Sequence, residues 1–173
     1  KRHITYTVND YTNDIAVANG AYRLRLGWKT KTYEISGANP TAAYFTYDEL
    51  KTKFTSATEI DYSASPGTGL KKRCIEAQVI KFLKNDTSAA LADGVIESRV
   101  LPYETYRQAF TANLFSNVFS GKYTATQLTS DAKYVLRVEN SVNTYWIPSG
   151  TMEYFSNPQN SFFAPRKYKD PFG

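Results

Sequence analysis

Histidine and cysteine are almost missing from this chain, which has one of each, His3 and Cys74, in 173 residues. A lone cysteine forms no intramolecular disulfide, so a small disulfide-stapled scaffold is excluded and no redox compartment is named. Zinc and similar ions need several nitrogen or sulfur ligands, and that donor set is absent. Cys–His nucleophilic catalysis has a single candidate pair. Cys74 lies in an apolar-rich stretch and His3 at a terminus, so a structural thiol and an incidental imidazole are expected. No run approaches about 18 consecutive apolar residues, so no transmembrane helix is expected. The chain opens at Lys1-Arg2-His3 without Met or an apolar leader core, as a processed form would. No fixed-period repeat, low-complexity tract or composition break appears, and residues 1–173 are expected to form one domain.

Aromatic residues are plentiful, with 14 Tyr, 10 Phe and 2 Trp. Together with abundant Thr, Ser and Asn they favour pleated, half-buried strands over helix bundles. A chain this long buries roughly two-thirds of its unfolded surface, enough for a core without staples. The net charge of +5 is compatible with nucleic acid, anionic surfaces or acidic partners and selects none of them.

Ile4 to Val8 alternates, and Asn19-Gly20 is a turn signal before Tyr22 to Trp28. In that segment Tyr22, Leu24, Leu26 and Trp28 share one face and Arg23 and Arg25 the other, the period of a half-buried strand. Lys31 to Ile35 continues in extended character. Helical signals run from 40 to 54: Asn39-Pro40 resembles a start, and Thr46 with Glu49 has capping-box spacing. Residues 55–69 read as a polar surface loop. Cys74 to Phe82 has no clean polar face and is expected to be a central strand. Val95-Ile96 and Val100-Leu101 are short extended pieces. Pro102 to Ser120 reads as a helix, with Tyr106, Phe110, Leu114 and Val118 every four residues and Gly121 as its stop. Lys133 to Val138 and Val142 to Ile147 are strands, with Pro148-Ser149-Gly150 as a turn. Beyond Ser156, Pro158, Pro165 and Pro171 interrupt regular structure, and 156–173 is expected to be an extended arm.

Few residue groups could carry chemistry. Asn9-Asp10 and Asn13-Asp14 could hold a hard cation but suit turns and caps. Glu97 with Glu104, or Asp131 with Glu139, could act as acid and base on a sugar, although nothing in their spacing requires it. Ser65 to Arg73 contains glycines and a basic run without phosphate-loop spacing. Lys71, Lys72 and Arg73 are its candidate phosphate contacts. Asn85-Asp86-Thr87 matches a glycosylation pattern that its turn chemistry already explains. The unusual segment is the tail, where Phe162, Phe163, Arg166, Lys167, Tyr168 and Phe172 fit a subunit contact of aromatic anchors and a cationic rim. Stacking of these rings on single-stranded nucleic acid is a weaker fit.

These features point to a mainly β protein, with α+β as the variant: an antiparallel β-sandwich or jelly-roll-like domain, a helix inserted near 102–120 and an extended C-terminal arm. The expected function is non-enzymatic self-assembly without a cofactor, as in a virion or phage coat-type component. The alternative is a secreted or surface module that binds carbohydrate or protein through Trp28, Tyr145 and Trp146.

Overall fold

The structure is a computed structural model that describes residues 4–16, 22–119 and 121–173. His3, the Asn19-Gly20 turn and Ser120 lie outside the described residues. In chain order the elements are β1 (Ile4–Tyr11), β2 (Ile15–Ala16), β3 (Tyr22–Arg23), β4 (Gly27–Ser36), α1 (Tyr47–Ser56), β5 (Thr58–Glu59) and β6 (Lys71–Leu83). There follow β7 (Leu101–Thr111), α2 (Ala112–Phe119), α3 (Ala125–Ser130), β8 (Val135–Glu139), β9 (Val142–Pro148), β10 (Thr151–Tyr154), a 3-10 turn (Pro158–Ser161) and β11 (Pro165–Lys169). The main sheet has seven strands in the order β1-β4-β6-β7-β9-β8, with β5 added in parallel beside the start of β6. All other pairings in it are antiparallel. The protein is therefore mainly β and sandwich-like, as its composition implies.

The sheet is strongly curled. Neighbouring strands lie about 4.8 Å apart, so β4 and β8, four places apart, would be about 19 Å apart if the sheet were flat. Yet Lys29 and Lys31 of β4 place their Nζ atoms 2.7 and 2.8 Å from Glu139 Oε2 of β8. Register puts Lys29, Val79 and Tyr106 on one face, together with Trp146, Val135, Arg137 and Glu139. This is the concave face. Ala77, Val79, Tyr106 and Trp146 form its buried floor, and the charged heads of Lys29, Lys31, Arg137 and Glu139 roof it.

Both faces are finished by local elements. Thr46 caps α1, its hydroxyl accepting from Glu49 N–H at 3.2 Å. Glu49 does not complete the capping box; its carboxylate accepts from Thr41 N–H instead. The helix begins at Tyr47, so Asn39-Pro40 does not start it. Phe54 of α1 stacks on Tyr6 at 4.3 Å between centroids and meets Tyr33 edge-on at 5.2 Å, covering one end of the concave face. On the opposite face, Phe110 and Tyr145 pack under Phe115 of α2 and Leu128 of α3.

Three expectations fail for identifiable reasons. Residues 101–111 form a strand, and only 112–119 are helical. A register shift between Gln108 and Phe110 puts Tyr106 and Phe110 on opposite faces, so their four-residue spacing is the stripe of neither a helix nor a regular strand. Pro102 sits at the strand's start, beside the register shift at Lys81/Phe82, where a missing N–H costs little. The segment Tyr22 to Trp28 is not one strand: pairing stops after Arg23 and resumes at Gly27. Leu24 is 73% exposed and Leu26 40%, while Thr12 holds the connection by exchanging hydrogen bonds with Leu26. The loop expected over 55–69 is shorter, since α1 runs to Ser56 and Thr58–Glu59 pair with Lys71–Lys72. Its far end needs Gly37 at φ +73°, where a Cβ would stand 2.0 Å from the Gly69 carbonyl oxygen.

Candidate functional site

The ends of Leu101–Thr111 and Val142–Pro148 bring two features to the surface: a cavity on the concave face and the C-terminal hairpin.

The cavity has a volume of about 370 Å³. It is lined by Lys31, Cys74, Gln108 and Thr144, one from each of β4, β6, β7 and β9, because antiparallel register aligns them on one face. Its walls come from Glu59 to Tyr62, from Asn113 and from the β8–β9 turn at Asn140. A second hollow of about 170 Å³ shares Tyr62, Cys74, Gln108 and Thr111 with it. Burial pushes the Glu139 carboxyl up, but hydrogen bonds from Lys29 and Lys31 outweigh that and hold it below its ordinary value. Asp61 behaves alike: desolvation raises it, while bonds from Ser63, Thr111 and Asn113 bring it down overall. Desolvation raises the Cys74 thiol despite the opposing Lys31 charge, the reverse of an activated nucleophile. Next to the cavity, Asp93 binds Arg137 and Lys81, and the Arg137 guanidinium lies 5.5 Å from the Trp146 ring centre.

The C-terminal segment folds back as a hairpin. β11 pairs antiparallel with β10, Thr151 opposite Lys169 and Met152 opposite Tyr168. Gly150, at φ +88°, admits the Lys169 carbonyl oxygen to 2.5 Å of where a Cβ would be. Tyr154 donates its hydroxyl to the Pro102 carbonyl at 2.8 Å, and Arg99 stacks over the Phe163 ring at 4.2 Å. Between the strands, Phe162 and Phe163 both adopt left-handed backbone, at φ 51° and 56°. Phe162 is 94% exposed, Tyr168 70% and Phe172 68%. Arg166 and Lys169 are exposed beside them, and Lys167 pairs loosely with Glu153 at 3.1 Å. The hairpin thus exposes Phe162 in its connection, Arg166, Lys167 and Tyr168 along β11 and Phe172 beyond the strand's far end, while Phe163 serves the fold.

The other sequence candidates are dispersed. Lys72 donates to the Phe54 carbonyl and sits 4.2 Å over the Phe54 ring. Arg73 binds Glu34 at 2.6 Å, and alternation along β6 separates it and Lys71 from Lys72, so the three form no common anion cradle. Glu97 accepts from the Asn85 N–H and Glu104 from the Tyr106 hydroxyl. Asp131 ends α3, and Glu139 belongs to the lysine cluster. Asn13 bonds the Ile96 backbone, Asp14 pairs with Arg25, and Asn9 accepts from Thr30, all structural roles. The Asn85 amide donates to Ser98 and accepts from Arg99, accounting for the turn. Trp146 is fully buried and Tyr145 5% exposed, so neither presents a ring to a ligand. Sequence reasoning missed the cavity, although its signal is present: Lys29-x-Lys31 and Arg137-x-Glu139 each put two charges on one face of a strand.

No family model and no curated protein matches the chain. Solved structures do resemble it. A chain in the crystal structure of TcdB2-TccC3-Cdc42 aligns at 15% identity with a TM-score of 0.66. A chain of TcdB2-TccC3 without its hypervariable C-terminal region aligns at 14% identity and 0.66. In both, the match covers 97% of this chain and 8% of the other. At this identity the likeness concerns the fold.

Proposed function

We propose that the chain is a non-enzymatic structural module that works by contact, associating with copies of itself through the turn and hairpin at Pro158–Phe172. The observation that carries this reading is Phe162, an almost fully exposed ring on two successive left-handed residues that are not glycine. Left-handed backbone costs an L-residue roughly 1–2 kcal/mol, and an exposed ring gives the monomer nothing in return. Docked into an apolar pocket of a second copy, Phe162 becomes an anchor, with Tyr168 and Phe172 as further exposed rings along the same hairpin and the cations between them. At a net charge of +5 the repulsion between copies is modest, and physiological salt screens it beyond about 8 Å. The absence of an activated thiol and the dispersal of the carboxylate pairs support a role without catalysis. The fold resembles a small part of a much longer chain in the crystal structure of TcdB2-TccC3-Cdc42, which supports a building-block role. A virion setting, expected from composition, receives no such support.

The test is light scattering of the chain beside Phe162→Ala/Tyr168→Ala. The reading expects association by the parent chain and its loss in the variant with melting temperature unchanged. A parent chain monomeric at every concentration overturns it.

A further inference from the structure

We propose that the concave-face cavity is a binding site for a neutral, pyranose-sized sugar, a role independent of the hairpin contact. The volume of about 370 Å³ lies within the range of small-ligand sites. Charge excludes one class of ligand. Glu139 is neutralised by Lys29 and Lys31. Asp61 accepts from the Ser63 N–H at 2.9 Å and its hydroxyl at 2.6 Å. Glu59 accepts from the Asn140 amide at 3.3 Å. Glu59 and Asp61 thus hold only neutral hydrogen-bond donors and keep their charge, so the lining repels an anion, while their remaining lone pairs can accept from the hydroxyls of a neutral ligand.

Most of the lining residues are polar. What the lining offers is donors and acceptors in alternation, from the amides of Gln108, Asn113 and Asn140 and the carboxylate of Glu59. A sugar's hydroxyls, each both donor and acceptor, match such a set. Gln108 makes no side-chain hydrogen bond to another described residue, yet it lines both hollows with two donors and an acceptor. Tyr62 supplies the apolar complement. Its ring forms one wall, 44% exposed, with the Arg73 guanidinium 5.8 Å from its centre. One face of that ring is suited to the C–H face of a pyranose, as an amphipathic ring with an apolar body. The site stands on rigid strands and needs no closure.

The experiment is calorimetric and NMR titration of the full chain with glucose, galactose, mannose and N-acetylglucosamine. Spermidine and inorganic phosphate serve as charged controls. At least one neutral sugar should bind saturably, weakened about tenfold by Gln108→Ala, the scale of one or two lost hydrogen bonds. Tyr62→Ala, at a half-exposed position, should weaken it similarly even if Gln108→Ala fails to fold. Phe162→Ala should leave it unchanged. Absence of saturable binding by all four sugars overturns the proposal, as does binding indifferent to both variants or a preference for spermidine or phosphate.

Discussion

Single residues carry very different loads in this molecule. Trp146 has no exposed surface, and its indole N–H donates to Thr144 Oγ1 at 2.8 Å, which in turn donates to the Arg137 carbonyl at 3.0 Å. It packs the floor of the concave face and fixes the strand pair beneath the charged roof. Trp146→Ala should therefore cost about 3–5 kcal/mol, the range for a deleted buried aromatic, measured by urea unfolding. Phe162 is the opposite case. Asn tolerates left-handed backbone better than Phe, so Phe162→Asn should stabilise the monomer by roughly 0.5–1 kcal/mol. The same change should abolish association, a trade visible by comparing melting temperature with scattering mass. Cys74 adds a chemical test. With its thiol raised by desolvation, it should react with a disulfide reagent far more slowly in the native protein than in urea.

At the scale of elements, α1 depends on its cap. Thr46→Ala removes the bond to Glu49 N–H and should cost about 1 kcal/mol, read from thermal unfolding. This cap was legible in the sequence, as were Lys31 to Ile35, Cys74 to Phe82 and the two strands between Lys133 and Ile147. Their signals are local: alternation, a hydroxyl before a helix, Pro-Ser-Gly after a strand. What failed depends on partners distant in sequence. Leu101–Thr111 is a strand because Lys71–Leu83 and Val142–Pro148 flank it, and nothing within residues 101–111 announces either neighbour. Leu24 and Leu26 alternate like a buried face, but among the described residues no element covers them. The tail's aromatics and cations were visible from composition, whereas its pairing with Thr151–Tyr154 was hidden by the two prolines at 158 and 165. Pro165 is accommodated where the register shifts, between Glu153 and Tyr154.

Across the whole molecule, the curl of the sheet is fastened by Glu139. Lys29 and Lys31 on one side and Arg137 on the other converge on its carboxylate, and their side chains are at most 17% exposed. Removing one member of such a cluster strands the others in a poorly solvated place, and Glu139→Gln should cost about 2 kcal/mol at neutral pH. The pH dependence has a defined sign. The folded carboxyl sits below its ordinary value of 4.5, so its stabilisation is complete above that value and fades as pH falls through the lower folded value. Asp93, held down by Arg137 and Lys81 against its desolvation, adds to the loss in the same direction. Urea unfolding of parent and Glu139→Gln should thus differ at neutral pH and converge in acid. An unchanged gap in acid would mean that the cluster is not what couples β4 to β8.

A curled, ion-fastened sheet with an exposed aromatic hairpin is the frame on which the proposed self-association rests. The most direct measurement is multi-angle light scattering over a concentration series, on the full chain and on Phe162→Ala/Tyr168→Ala/Phe172→Ala. The account predicts a mass that rises with concentration for the parent chain and stays monomeric for the variant, with identical melting temperatures. A parent chain monomeric throughout, or a variant that associates equally well, would contradict it.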